Sequence, residues 1–506
     1  MKKILSLILV VLLAYSCDLT KMPQGSISSD NALTSLDDAR KFRTDMYLEI
    51  RDYLSSGYPV YIQELMTDSF HASIMFGNRN GEYYKWEYTS TFGYVEEIWS
   101  SAYYNVTLAN FLENGIGKLM QSGEVTESDK KELDVILGEA AFLKAFSMFT
   151  LVQLYCQNYN PATAASAMGL MLIDAPVESP GDITSYVGRS SLADTYTYIE
   201  NSLAVAESKL ASVPGQIASV YLTKDAVTAL KARVALTKGD YATAANNASA
   251  LIESGKYPLI DNLEDFNALW TNDSGEECIV QYWAGYGEGS LPESNNYDYI
   301  EYSTSGTYSP NYIPEQWIID AFDAEDIRFQ CWFKELDVTY GSITGNVYVF
   351  FKYPGNPELN SSGAAVSNYI NKVKAFRIAE QYLIAAEAYA QSGNTAQANK
   401  YLNTLRSKRI PGYVETNYSG AELMSQIKGE RAKELFGEGF RFTDLKRWNE
   451  GFARSEAQDD QIINNAGSAN TEFLAKSAND PKWLWPIPQA EIDANPQIKG
   501  QQNPGY

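Results

Sequence analysis

The 506-residue sequence predicts a mostly α fold: tetratricopeptide-like helix pairs form a scaffold, joined to a large irregular half of loops and short strands. Three observations predict it. Long stretches repeat apolar residues at i, i+3, i+4 and i+7, the signature of one buried helical face. Two Ala-rich segments each break once at a Gly and then resume as helix. Between those segments lies a Tyr-, Gly-, Ser-, Asn- and Pro-rich insertion of different character.

Residues 1–16 read as a signal peptide. Lys2 and Lys3 precede an apolar run from Ile4 to Ala14, which is shorter than the roughly 20 residues a spanning helix needs. Ser16-Cys17 then resembles a bacterial lipobox, although Ala14 stands where Leu is usual and Leu13 comes one step early. Cys17 is the expected lipidation site. Residues 17–506 read as a single domain. Its scaffold covers about 95–257 and 371–449, its irregular ligand-binding parts about 60–94 and 258–370, and a loop-rich tail 450–506.

Within the scaffold, Ile98, Trp99, Ala102 and Val106 share one helical face in 95–114. Leu133, Ile136, Leu137, Ala140 and Leu143 do so in 128–157, with Ser128 as the expected cap. Another helix is expected over 191–211. The pair-like segments are 222–257, broken at Gly239-Asp240, and 375–409, broken at Gly393-Asn394. Small residues let antiparallel helices approach, and Gly permits the tight turn. In the insertion, Cys278–Tyr282 and Asn346–Phe350 read as strands.

Composition narrows function. A net charge of −23 argues against nucleic acid and against electrostatic adsorption to anionic lipid. The single His, His71, excludes a His-based zinc site, and it reads as a local hydrogen-bonding residue. Cys156, Cys278 and Cys331 are too scattered for a metal cluster and read as buried thiols. Asp273-Ser274-Gly275-Glu276-Glu277 is a candidate calcium loop whose default reading is an acidic turn. No cofactor or metal is expected.

Aromatic chemistry remains. Residues 283–317 read WAGYGEGSLPESNNYDYIEYSTSGTYSPNYIPEQW, and no Lys or Arg occurs from Tyr257 to Ile327. A pyranose presents an apolar C–H face to Trp or Tyr and hydroxyls to polar side chains. The candidate ligand residues are Asp68, Asn78, Arg79, Tyr83, Tyr84 and Trp86 in the first irregular segment. In the second they are Trp283, Tyr286, Asn296, Tyr297, Tyr299, Tyr302, Tyr308 and Tyr312. Strand alternation would put Tyr297 and Tyr299 on one face. Trp99 and Trp317 read as core. The missing basic residues favour a neutral or cationic ligand.

GERAKELFGEGFRFTDLKRW (429–448) and WPIPQAEIDANPQIKGQQNPGY (485–506) resemble signatures of the SusD/RagB family, with WSSAYYNVTLAN (99–110) and GEAAFLKAFSMFTLVQLY (138–155) in support. The resemblance runs in order over nearly the whole chain; Phe440 departs, where the family often has His. It implies an outward-facing, lipid-anchored outer-membrane protein of a Bacteroidota-type bacterium, with four tetratricopeptide-like pairs. It implies a SusC-like TonB-dependent transporter as partner, a glycan as ligand and delivery without chemistry. The two irregular regions would supply the ligand aromatics, and the C-terminal motifs would be structural. The alternatives are a RagB-like peptide binder, a glycosidase using two of the many carboxylates, and a scaffold without ligand contact.

Overall fold

The computed structural model describes residues 32–123, 125–175, 186–287, 291–300, 302, 306–360, 367–454, 457–463 and 474–506. The signal peptide and Cys17 lie outside the described residues. An N-terminal helix, α1 (Leu36–Glu49), starts at Ser35, whose hydroxyl accepts from the Asp38 N–H at 3.2 Å. Such a cap satisfies a backbone donor that the helix cannot. A π-helical turn, Ile50–Leu54, follows, and then α2 (Tyr58–Leu65) and a short strand, β1 (Phe70–Ala72).

The scaffold is built from α3 (Gly93–Gln121) with α4 (Glu127–Tyr155), α5 (Leu192–Leu210) with α6 (Lys224–Lys238), and α7 (Tyr241–Glu253), which packs back on α6. After the insertion it resumes with α8 (Ile378–Gln391), α9 (Thr395–Arg409) and α10 (Gly420–Glu434). In α4 the helix begins slightly before the expected cap: Thr126 and Asp129 form a reciprocal capping box. This helix is long and apolar enough to cross a bilayer, but 78% of its apolar window is buried against protein neighbours.

The two predicted Gly breaks are real turns. Gly239 adopts φ +83° and Gly393 φ +78°, a left-handed conformation open to Gly at little cost. Helix α7 packs directly on α8, so the array is continuous in space across the insertion. Ala232, Ala244, Ala245, Ala248, Ala385, Ala388 and Ala398 are all buried in that seam. Side chains this small bring helix axes close together.

The insertion leaves and returns through a narrow neck. Strand β2 (Cys278–Gln281) pairs antiparallel with β6 (Lys374–Arg377). Between them, β3 (Tyr312–Pro314) pairs with β1, which stitches the insertion to the N-terminal segment. Strands β4 (Phe333–Tyr340) and β5 (Ile343–Phe350) form a hairpin in register from Phe333↔Phe350 to Tyr340↔Ile343.

A buried ion-pair cluster fastens the insertion to the scaffold. The Glu434 carboxylate meets Arg328 at 3.0 Å, Arg377 at 2.9 Å and Arg409 at 3.0 Å. Glu277 joins Arg409 at 2.8 Å, and Glu438 joins Lys352 at 2.7 Å. Burial opposes ionisation of Glu434, but Arg409, Arg377 and Arg328 outweigh it and hold the carboxyl well below the usual range. In the last scaffold helix, α11 (Arg441–Trp448), Arg447 pairs with Asp444 at 2.9 Å, and the Trp448 indole donates to Glu387 at 2.8 Å. The charged residues of 429–448 are thus internal fasteners.

Two buried cations hold helix C-termini, where unpaired carbonyls carry partial negative charge. Lys446 donates to the carbonyls of Gln153 at 2.6 Å and Cys156 at 2.8 Å, at the end of α4. Arg454 donates to Leu65 at 2.6 Å and Thr67 at 2.7 Å, at the end of α2, and to Tyr84 at 3.0 Å. Cys156, Cys278 and Cys331 are buried free thiols.

Candidate ligand-binding site

Arg40, Arg43, Thr44, Tyr47 and Leu48 recur at three- and four-residue spacing and so share one face of α1. With Arg51, Glu132, Val220, Tyr221, Tyr282 and Trp283 they line a cavity of about 540 Å³. Helix α1 forms one wall, and the ends of the 219–222 loop and of β2 form another.

Interlocking contacts make the wall rigid. The Tyr47 hydroxyl donates to Glu139 at 2.8 Å and accepts from the Leu222 N–H at 2.7 Å. Burial pushes the Tyr47 hydroxyl well above its ordinary pKa and raises the Glu139 carboxyl, against the pull of Arg43. Arg43 donates to Glu139 at 2.5 Å while its guanidinium lies 4.0 Å over the Tyr221 ring. Tyr47 meets Tyr221 edge-on at 5.3 Å. Arg51, held by Asp52 at 2.6 Å, donates to the Trp283 carbonyl at 2.8 Å.

On this frame Trp283 is 53% exposed, Tyr221 50% and Tyr286 56%. Two of these large exposed rings, Trp283 and Tyr221, line one cavity, which makes it the candidate binding surface. Of the predicted ligand residues, Trp283 alone lines the cavity, and Tyr286 stands three positions further along the same exposed loop.

The structure corrects most of the other assignments. Trp86 is buried, donates to the Met66 carbonyl at 2.7 Å and meets Trp483 edge-on at 4.9 Å. Tyr83 stacks on Tyr88, and Tyr84 lies under the Arg454 guanidinium at 3.9 Å. Tyr299 stacks on Phe70 at 4.2 Å, and Tyr312 is buried with its hydroxyl on the Arg79 carbonyl. Asn296 is buried and donates to the Tyr353 carbonyl at 2.8 Å. Asp68 is occupied by Arg441 through two contacts of 2.8 Å. These groups face protein, because the strands here are too short to make a core without them.

Residues 297–300 form a helical turn rather than a strand, so the expected alternation does not arise. The Tyr297 side chain lies outside the described residues. Tyr302 and Tyr308 are half-buried and pack on each other at 4.7 Å. Asn78 is exposed at φ +58° and donates to Glu82 at 3.0 Å, which makes it a turn residue. Arg79 reaches Asp298 at 3.3 Å. Trp99 is buried, whereas Trp317 is only partly so and donates to the Asp68 carbonyl at 2.6 Å.

His71 pairs with Glu315 at 2.8 Å inside the protein. In the acidic turn, Asp273 is buried against Lys374 at 2.6 Å and Glu277 belongs to the ion-pair cluster, so cationic side chains already occupy two of its three carboxylates. No cluster able to hold a metal occurs among the described residues.

Residues that the sequence reading missed are Arg40, Arg43, Tyr47 and Arg51 on α1 and its following turn, together with Tyr221. Their spacing was visible as one helical stripe, but nothing local showed that the insertion would come to lie against it.

Fold and site together define a class: a tetratricopeptide-like helical scaffold whose insertion completes an aromatic surface pocket. Residues 341–506 match the SusD family, and residues 27–236 match a family described as starch-binding associating with outer membrane. SusD-like protein P2 of Formosa agariphila is 24% identical, over 82% of this chain and 81% of that protein. A SusD superfamily protein of Bacteroides thetaiotaomicron is 26% identical with a TM-score of 0.77, covering 93% of this chain and 100% of that one. The surface glycan-binding protein A of Bacteroides fluxus shares the fold at 21% identity and a TM-score of 0.70, covering 94% and 100%. The chain belongs to the SusD-like family.

Proposed function

We propose that this protein captures a glycan in the pocket lined by Trp283 and Tyr221 and binds it without chemistry. The observation that carries this reading is the exposure of both rings on one concave surface built by α1, the 219–222 loop and the insertion. Sugar C–H faces stack on such rings, and polar rim groups meet the hydroxyls. The starch-binding description of the matched family and the name of the Bacteroides fluxus relative support a carbohydrate ligand.

Hydrolysis would need two carboxylates flanking the bond. Among the described residues lining this pocket, Glu132 is the sole carboxylate, and Arg40 holds it at 2.7 Å. Capture therefore fits the pocket better than a glycosidase reaction, and nothing in its lining favours peptide over sugar. Family membership extends the proposal: lipidation at Cys17, an outward-facing position on the outer membrane, and delivery of cargo to a SusC-like TonB-dependent transporter.

Affinity electrophoresis of the soluble chain through gels holding neutral and acidic polysaccharides tests the reading. Retardation by at least one polysaccharide, abolished in Trp283→Ala/Tyr221→Ala with the melting temperature kept, is the expected result. Unchanged retardation of the variant would place the ligand elsewhere. Mass spectrometry of the membrane form tests the lipid at Cys17, and co-purification with a transporter barrel tests the partner.

A further inference from the structure

The charge around Trp283 departs from the rest of the chain. The protein carries −23, and the segment containing Trp283 has no Lys or Arg from Tyr257 to Ile327. Folding nevertheless gathers cations from elsewhere at this ring. Arg40, Arg43 and Arg51 arrive from α1 and its following turn and line the cavity. Lys372 arrives from the neck of the insertion and places its ammonium 5.5 Å from the Trp283 ring centroid.

These cations are not equally committed. Arg40 pairs with Glu132 at 2.7 Å, but the guanidinium side chain is 51% exposed. Solvent screens an exposed pair of this kind and leaves it weak, so exchanging Glu132 for a ligand anion costs little. Lys372 makes no ion pair among the described residues. Arg43 is bound to Glu139, yet its Nε is buried without a partner. Both exposed rings of the pocket thus carry a cation over them, Arg43 on Tyr221 and Lys372 on Trp283. A neutral sugar would use the rings and leave Lys372 without a counter-charge.

We infer that the glycan is acidic, its rings stacking on Trp283 and Tyr221 while carboxylate or sulfate substituents engage Arg40, Arg43 and Lys372. The inference rests on the glycan reading above and specifies its ligand class. Guanidinium offers paired N–H donors that match carboxylate and sulfate oxygens, and Lys on its flexible stem supplies a mobile point charge. The absence of basic residues in 257–327 then has a different meaning. It means that the cations beside Trp283 all come from other parts of the chain, against a net charge of −23 that disfavours non-specific adsorption of a polyanion.

An array of oligosaccharides of equal length, in uronate-bearing, sulfated and neutral sets, probed with the soluble chain, tests this. The strongest binders should be acidic, at least tenfold tighter than a neutral oligosaccharide of the same backbone. The advantage should shrink at high salt. Arg40→Gln/Lys372→Gln should bring acidic and neutral affinities together, while Trp283→Ala should weaken both. The uronate and sulfate sets separate the two sources of charge. Equal or tighter binding of the neutral set overturns the acidic ligand and leaves glycan capture standing. Binding of no oligosaccharide overturns the glycan reading itself, and with it this one.

Discussion

Arg51 donates a hydrogen bond of 2.8 Å to the backbone carbonyl of Trp283, joining positions 232 apart in sequence. The contact fixes the start of a Gly-rich loop against the N-terminal helical segment. An indole on such a loop would otherwise spend conformational entropy on each binding event, whereas here much of that ordering is completed in folding.

Arg51→Ala is therefore expected to weaken glycan binding about tenfold, roughly 1.4 kcal/mol. Isothermal titration of wild type and variant measures it, with Trp fluorescence reporting whether the indole becomes mobile. An unchanged affinity would show that the loop is held by other contacts.

Trp283→Ala and Trp86→Ala should separate cleanly. Trp283 is 53% exposed, so its removal should weaken binding strongly and leave the melting temperature nearly unchanged. Trp86 is 2% exposed and wedged against Trp483 and Phe442. Its truncation should cost about 3–5 kcal/mol of stability, as a large buried aromatic does. Urea denaturation beside a gel-retardation assay reads both effects.

Glu434→Gln should destabilise the protein by about 3 kcal/mol, because Arg328, Arg377 and Arg409 lose the buried carboxylate they share and keep only Asp326, Glu430, Glu277 and Glu438 between them. The sign with pH follows from the lowered carboxyl. Stability from an ionised Glu434 is fully present above the ordinary carboxylate value of 4.5 and is lost as pH falls below it. The difference between wild type and variant should narrow on acidification, and denaturation curves across that range would show it.

Glu64 should behave in the opposite sense. Burial raises its carboxyl to about 7, against the Ser69 hydroxyl and the Gly439 N–H that donate to it at 2.8 Å. A folded-state value above the unfolded one means that stability is fully present below 4.5 and is lost as pH rises through about 7. Glu64→Gln keeps an acceptor for Gly439 and carries no charge. It should gain about 1–3 kcal/mol on wild type between pH 4.5 and pH 8, as measured by denaturation at the two ends.

The helix pairs were legible because their information is local. Gly239 and Gly393 mark turns, and the Ala-rich faces mark close packing, within stretches of a few dozen residues. The hairpin was half visible in Asn346–Phe350, although its partner Phe333–Tyr340 was not. Of the residues lining the candidate pocket, only Trp283 was legible as a candidate in the sequence. Trp86 sits in equally aromatic, Gly-punctuated sequence, and its burial depends on Trp483 and Phe442, hundreds of positions away. Tyr299 and Tyr312 are buried for the same kind of reason, against Phe70 and beneath the Arg79 turn.

By itself the sequence determined the periodicity of the helices, the place of the insertion and the motifs that mark the family, since each depends on residues near one another in the chain. Only the tertiary structure decided which aromatic rings meet water and what charge surrounds them. Exposure is set by whichever distant element packs on a ring. The field at Trp283 is set by Arg40, Arg43, Arg51 and Lys372, none of which lies in its own segment. A basic-free stretch thus came to lie against three arginines with their carboxylate partners and one lysine that has no ion pair among the described residues, because electrostatic interaction follows distance in space and not position along the chain.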